Sequence, residues 1–168
     1  KALATPGFAG ATRFVVVGPE GTGVPVDESI GTWTSGSSDA AQAGRLAGLA
    51  ITRAVELARS GEVQGIVTAP IDKAALLAGG CDYPGHTEML EDLCGVPTAM
   101  MLASPRLRVV LATTHLALRD VPDALTPEVL ARVAHLTREG LREWFGIAEP
   151  RLALCALNPH AGDQGRFG

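Results

Sequence analysis

Apolar positions along the chain fall into two patterns, short runs and longer stretches with helical spacing. The short runs predict strands at residues 14–17, 65–68, 98–102, 107–112 and 152–157. The first two are typical of short strands that are buried in a sheet. Only Ser104-Pro105-Arg106 separates the third run from the fourth, which is too short for a crossover. These two runs are therefore predicted to form an antiparallel hairpin.

The longer stretches predict helices whose ends carry recognisable signals. Residues 39–58 begin at Asp39, with Gln42 three residues later, which resembles a capping box. Residues 87–94 are followed by Gly95 as a stop signal. Thr126 and Pro127 have the residue types of an N-cap and a first helical position. One face of that last helix is predicted to pack, and its members are Val129, Val133, Leu136, Gly140 and Trp144.

Strands that alternate with long helices predict an α/β fold with a mostly parallel sheet and one antiparallel member. In such sheets, ligands bind beyond the carboxyl ends of the strands. Three of the predicted strands end near residues that can carry chemistry, namely Lys73, His115 and His160. We expect these three residues to approach one edge of the sheet.

Composition narrows the class of protein only a little. The chain has 168 residues, 46% of them hydrophobic, and a net charge of -4. That charge gives no reason to expect nucleic acid or an anionic membrane as a partner. The three cysteines form no C-x-x-C motif, and Cys155 lies in an apolar run and is predicted to be buried. A reducing cytoplasm is the expected compartment.

His115 and His160 are candidate metal ligands, because neutral imidazole suits zinc and similar ions. The alternative is that each is a loop histidine with one hydrogen bond, and the pattern leaves both interpretations open. A third ligand would be His86, a carboxylate or a residue outside this sequence. His135 falls on the polar side of its predicted helix, and we assign it no role.

His86 and Thr87 open a predicted helix, and a helix start favours phosphate or carboxylate. The alternative is that Thr87 simply caps this helix. The catalytic residues stay unassigned, with Lys73 and Asp163 as candidates. Lys73 is also a candidate for binding an anion, or it is merely solvated. Asp163 is a candidate for orienting a ligand or moving a proton, or it is a turn residue.

Five motifs resemble those of the 4-hydroxythreonine-4-phosphate dehydrogenase (PdxA) family, over residues 35–168. They occur in the family's order: Ile66-Val67-Thr68-Ala69-Pro70-Ile71-Asp72-Lys73, Gly85-His86-Thr87-Glu88, Met101-Leu102-Ala103, Ala112-Thr113-Thr114-His115-Leu116-Ala117-Leu118 and Leu157-Asn158-Pro159-His160-Ala161-Gly162. The resemblance implies an isocitrate/isopropylmalate dehydrogenase-like fold with two α/β domains. Residues 1–80 would be part of the first domain and residues 81–168 part of the second. The resemblance also implies that this sequence is a fragment.

The same resemblance implies a site at the subunit interface of a homodimer. NAD or NADP would be the oxidant, and a divalent metal would be bound, with Zn²⁺ expected and Mg²⁺, Mn²⁺ or Co²⁺ as alternatives. His115 and His160 match two of the family's metal ligands, and His86 and Thr87 match its substrate-binding pair. The third metal ligand is expected after residue 168.

The function that the resemblance implies is oxidation and decarboxylation of 4-phosphohydroxy-L-threonine to 3-amino-2-oxopropyl phosphate, in pyridoxal phosphate biosynthesis. One alternative is a sister dehydrogenase that acts on D-threonate or D-erythronate 4-phosphate. Two others are a metal-binding domain without turnover and a metal-dependent hydrolase.

Overall fold

The computed structural model describes residues 12–34 and 38–166. The chain divides into two compact units, one that ends at Val96 and one that begins at Pro97. The predicted domain boundary near residue 80 refers to a longer protein, and it stays a prediction. None of the helices in the described ranges is both long enough and apolar enough to cross a bilayer.

The first unit begins with two parallel strands, β1 (Val17–Glu20) and β2 (Glu28–Thr32). The predicted strand at residues 14–17 is therefore wrong by three positions. The position of β2 explains the shift, because its ladder begins where Val17 pairs with Glu28. The apolar residues before Val17 lie outside that ladder.

The core of the first unit lies between α1 (Ala40–Arg59) and α2 (Lys73–Ala78). The carboxylate of Asp39 accepts a hydrogen bond from the Gln42 N–H at 3.0 Å, which confirms the predicted cap. The helices approach closely because α1 presents glycine to α2. A Cβ added at Gly44 would overlap the carbonyl oxygen of Ala75. The buried apolar side chains of the two helices are Leu46, Ile51, Val55, Leu57 and Leu76.

Helix α3 (His86–Cys94) completes the first unit. Gly95 follows it with φ +67°, as the stop signal predicts. Met89 is the buried residue of α3 and is 2% exposed. Arg59 at the end of α1 donates a hydrogen bond to the Leu93 carbonyl at 3.0 Å. Helix α3 is thus attached to α1 at its carboxyl end.

The second unit begins with the predicted hairpin, which is confirmed. Strands β3 (Met101–Ala103) and β4 (Arg108–Val110) pair antiparallel, with Met101 opposite Val110. The hydroxyl oxygen of Ser104 accepts hydrogen bonds from the N–H groups of Arg106 at 3.3 Å and Leu107 at 3.0 Å. This serine organises the turn that the sequence places there.

Two helices follow, α4 (Val121–Ala124) and α5 (Pro127–Glu143). The Thr126 hydroxyl accepts a hydrogen bond from the Val129 N–H at 3.3 Å, which confirms the predicted cap of α5. Its buried residues are Thr137, Gly140 and Leu141. Trp144 was predicted on the packed face, and this is wrong because its side chain is 82% exposed. Trp144 is the C-cap of α5, so the helix ends there and its packed face does not continue to this residue.

Residues 65–68 and 152–157 are not strands within the described ranges, so those two predictions are wrong. Val67 is 92% exposed, Leu154 is 77% exposed, and the Cys155 thiol is exposed rather than buried. A strand exists only where a neighbour completes its hydrogen-bond ladder. In the described part, the ladders are one parallel pair and one antiparallel pair. The α/β class is therefore confirmed. The single, mostly parallel sheet that was predicted is not seen in the described residues.

Candidate functional site

The amino end of α3 lacks a side-chain cap. Its N-cap residue is Gly85, which is buried, has extended backbone (φ -174°) and has no side chain to accept a hydrogen bond from the first turn. Thr87 is the second residue of the helix, so the alternative that Thr87 is its cap is wrong. A helix start with an uncapped glycine combines backbone N–H groups with the positive end of the helix dipole. This geometry suits phosphate or carboxylate.

His86 is the first residue of α3, and its ring carries an unsatisfied atom. Nε2 of His86 is buried and has no hydrogen-bond partner among the residues that the structure describes. A buried polar atom without a partner costs about 1–3 kcal/mol, so such atoms are rare in folded proteins. A polar group of a bound molecule would remove this cost. His86 thus combines with the uncapped helix start as a candidate binding site.

Tyr83 precedes α3 and contacts Asp92 near the carboxyl end of that helix. Its hydroxyl donates a hydrogen bond to Oδ2 of Asp92, with 2.5 Å between the oxygens. That hydrogen bond is the main cause that raises the pKa of Tyr83 above its ordinary value, and desolvation adds to it. The sequence analysis missed this pair. No local rule joins residues nine positions apart when only one of them lies in the helix.

Lys73 lies in the first unit at the start of α2, and its side chain is exposed. Asp72 precedes it as the N-cap and accepts a hydrogen bond from the Ala75 N–H at 2.9 Å. A carboxylate therefore already occupies the cap position of α2. Lys73 is an exposed residue of the first turn of α2.

His115 lies in the second unit, five residues after β4 ends at Val110. Its side chain is exposed, and its backbone adopts φ +55°. Few residues other than glycine adopt a positive φ, although histidine does so more often than most. Residues held in such conformations occur preferentially at functional sites. The backbone thus marks the histidine that the sequence singles out.

His160 follows a turn that Asn158 organises. The Asn158 side-chain oxygen accepts a hydrogen bond from the His160 N–H at 3.0 Å, and the His160 carbonyl accepts one from the Asp163 N–H at 3.1 Å. Ala161 and Asp163 have φ values of +51° and +40°. The side chains of His160 and Asp163 are exposed. The turn fixes the backbone on both sides of His160.

The candidate ligands His115 and His160 are of a type that binds metal ions, but two ligands are too few for a site. The imidazoles of His115 and His160 are suitable ligands for zinc. Within residues 12–34 and 38–166, however, no group of three histidine, cysteine or carboxylate residues is arranged to hold a metal ion. A catalytic zinc site usually has three protein ligands. We therefore derive no reaction step through a metal. His135 is exposed on α5, as predicted.

Comparison with known proteins settles the family. The sequence profile of the pyridoxal phosphate biosynthetic protein PdxA matches residues 19–168. The chain belongs to the PdxA family. A relative from Stenotrophomonas maltophilia, a 4-hydroxythreonine-4-phosphate dehydrogenase, is 47% identical over 133 residues, which are 79% of this chain and 40% of the relative. A relative from Bradyrhizobium diazoefficiens, named provisionally as a D-threonate 4-phosphate dehydrogenase, is 50% identical over 76% of this chain and 37% of its own length.

Solved structures of PdxA-family proteins agree with this assignment. A 4-hydroxythreonine-4-phosphate dehydrogenase from Klebsiella pneumoniae matches with a TM-score of 0.69 and 35% identity, over 94% of this chain and 51% of that one. The enzyme of the same name from Burkholderia phymatum matches with a TM-score of 0.65 and 38% identity, over 92% and 50%. The chain spans about half the length of these structures and less of the curated relatives.

Proposed function

We propose that this chain is part of a dehydrogenase that oxidises a phosphorylated hydroxy acid, with 4-phosphohydroxy-L-threonine as substrate and pyridoxal phosphate biosynthesis as context. The observation that carries the proposal is the PdxA profile, which matches residues 19–168. The buried Nε2 of His86, at a helix start that Gly85 leaves without a side-chain cap, supports the binding of an anionic substrate there. In this proposal His86 and Thr87 bind the anionic substrate.

The reaction divides into an oxidation and a decarboxylation. A hydride leaves the carbon that bears the hydroxyl group, and the hydroxyl proton goes to a base. A nicotinamide, NAD or NADP, accepts the hydride when it is bound. The bond to the carboxylate of the resulting 3-oxo acid then breaks, carbon dioxide leaves, and the remaining enolate takes up a proton. Lys73 and Asp163 are the candidate proton-transfer groups in this chain.

His115 and His160 are proposed as two ligands of a divalent ion, with Zn²⁺ expected and Mg²⁺, Mn²⁺ or Co²⁺ as alternatives. Support comes from imidazole chemistry and from the positive φ of His115. The turn that fixes His160 is further support.

A second candidate substrate is D-threonate 4-phosphate or D-erythronate 4-phosphate. The observation that favours it is the 50% identity with the Bradyrhizobium diazoefficiens relative, named provisionally for D-threonate 4-phosphate. Both classes of substrate carry a phosphate and a hydroxyl group, so the start of α3 suits either of them.

The decisive experiment uses the full-length protein with each of these phosphorylated acids, NAD or NADP and a divalent metal salt. Formation of reduced nicotinamide supports the proposal, and the faster substrate identifies the branch. Release of inorganic phosphate without nicotinamide reduction would instead support a hydrolase. Metal binding without either reaction would support a domain without turnover.

The whole protein is proposed to have two α/β domains with an isocitrate/isopropylmalate dehydrogenase-like fold, and residues 1–80 and 81–168 would be parts of them. We further propose a cytoplasmic homodimer with the site at the subunit interface. Sedimentation of the full-length protein should give twice the monomer mass at micromolar concentration. A monomer under these conditions would contradict the shared site.

His86→Ala in the full-length protein is expected to weaken substrate binding about 10- to 100-fold. The reason is that a hydrogen bond to a charged group contributes about 1.5–3 kcal/mol. Calorimetry with 4-phosphohydroxy-L-threonine measures the change, and metal content should remain at the wild-type level. His135→Ala is the matched control and should bind as the wild type does, since His135 is exposed on α5. Equal affinity in His86→Ala and wild type would contradict the assignment.

A further inference from the structure

We propose that Tyr83 and Asp92 are positioning residues that hold the start of α3 in the geometry that binds the anionic substrate. This inference rests on the proposed role of His86 and Thr87. It adds to that role a contact, from Tyr83 to Asp92, that constrains a helix start whose N-cap is a glycine.

The contact spans the first two turns of α3. Asp92 lies six residues after His86, which is about 9 Å along the axis at the helical rise of about 1.5 Å per residue. Tyr83 precedes the helix, yet its hydroxyl reaches Oδ2 of Asp92 at 2.5 Å. The half-buried tyrosine side chain must therefore lie alongside those turns. The backbone of Tyr83 is therefore held next to α3.

Two residues separate Tyr83 from α3, and they differ in backbone conformational freedom. Pro84 has a fixed φ, whereas Gly85 has the widest conformational range of any residue. The carbonyl of Gly85 accepts the first hydrogen bond of α3, from the Met89 N–H at 3.3 Å. The segment is thus fixed on the helix side by this bond and on the other side by Tyr83. Without the phenol contact, Gly85 would lose the second of these constraints.

The contact joins a neutral donor to a charged acceptor. Hydrogen bonds to ionised groups are shorter and about twice as strong as neutral ones. The raised pKa of Tyr83 means that the phenol keeps its proton throughout the physiological range. The contact therefore does not switch under ordinary conditions, which suits a structural support for a binding site.

Tyr83→Phe in the full-length protein is the direct test, because it removes the hydroxyl and keeps the ring. We expect the Kd for 4-phosphohydroxy-L-threonine and the KM to rise about tenfold, because substrate binding must then order a helix start that the phenol no longer holds in place. The value of kcat should stay within about twofold, since Tyr83 is not assigned to the chemistry. Without ligand, hydrogen exchange at the amide of Met89, which donates to the Gly85 carbonyl, should become faster.

Two further variants separate positioning from general destabilisation. Asp92→Asn keeps an acceptor for the phenol and should give a smaller rise in Kd than Tyr83→Phe. Arg59→Ala removes a different contact of α3, at the Leu93 carbonyl, and leaves the segment before the helix intact. It should leave the Kd unchanged. A rise in Kd in Arg59→Ala equal to that in Tyr83→Phe would overturn the proposal, because it would show that any weakening of α3 has the same effect.

The outcomes distinguish this inference from the proposed function. If the wild-type protein binds the substrate and Tyr83→Phe binds it equally well, the positioning role is wrong and the proposed function stands. If the wild-type protein does not bind the substrate, the proposed function is wrong and the ligand part of this inference is overturned with it. Exchange at Met89 that is unchanged in Tyr83→Phe would overturn the structural part.

Discussion

Alanine in place of His115 or His160 is expected to remove the divalent metal from the full-length protein after dialysis. An ion held by three protein ligands would be left with two and with water. The affinity should therefore fall by more than the 10- to 100-fold that the loss of an outer partner of a metal ligand causes. Elemental analysis of each variant measures the result directly, and activity is not needed as a readout.

His135→Ala is the matched control for the metal prediction. His135 is an exposed imidazole on α5, so its loss should change the free energy of unfolding by no more than about 0.5 kcal/mol and should leave the metal bound. Metal retained in both His115→Ala and His160→Ala, or lost in His135→Ala, would show that the ligands are assigned wrongly. An ion fully held by these 168 residues alone would make His86 the first residue to test as the third ligand.

Gly44→Ala is expected to destabilise the first unit by about 2 kcal/mol or more. The added methyl group would overlap the carbonyl oxygen of Ala75, so α1 and α2 would have to move apart. Overpacking costs about 1–3 kcal/mol and occasionally more, and the upper end or beyond applies here because the overlapped atom is backbone and cannot rotate away. About 1 kcal/mol returns from replacing a glycine inside a helix, which leaves a net loss of about 2 kcal/mol or more. Urea unfolding followed by circular dichroism measures the loss. Hydrogen exchange in α1 locates it.

Gly140→Ala in α5 is the control for this packing argument. Both glycines lie inside helices without a positive φ. The nearest atom to a Cβ at Gly140 is a ring carbon of Trp144 at 3.3 Å, and that side chain is exposed and can move away. We expect Gly140→Ala to be neutral or stabilising by up to about 1 kcal/mol. If the free energies of unfolding of Gly44→Ala and Gly140→Ala were equal, the close approach of α1 to α2 would be contradicted.

Local chemistry explains which parts of the fold the sequence could predict. Asp39 and Thr126 accept hydrogen bonds from residues three positions later, and Gly95 ends α3 with a positive φ. The hairpin turn is likewise decided by its own four residues, with Ser104 at its centre. These elements depend on neighbours in the sequence, so their residue types were sufficient.

The wrong predictions depend on neighbours in space. Residues 65–68 and 152–157 are apolar enough for buried strands, but a strand also needs a paired strand, which a pattern within one segment does not reveal. The burial of Cys155 was inferred from the same pattern and failed for the same reason.

In the candidate site, too, features decided by neighbours in the sequence could be predicted, and features decided by neighbours in space could not. The sequence identified His86 and Thr87 at a helix start, and the structure adds that Gly85 is the N-cap and that Nε2 of His86 is buried. The pairing of Tyr83 with Asp92 needed coordinates. The Gly44-x-x-x-Gly48 spacing in α1 was a signal for close helix packing that the sequence analysis did not use.

The exposed indole of Trp144 has a consequence for spectroscopy. This sequence has two tryptophans, half-buried Trp33 in the first unit and Trp144, 82% exposed, in the second. Indole emission shifts to longer wavelength when the ring moves from protein into water, and Trp144 is already in water in the folded state. The fluorescence of this chain should therefore report the unfolding of the first unit and miss that of the second. A Trp33→Phe variant would leave the emission maximum almost unchanged through denaturation, even while the circular dichroism of α5 disappears.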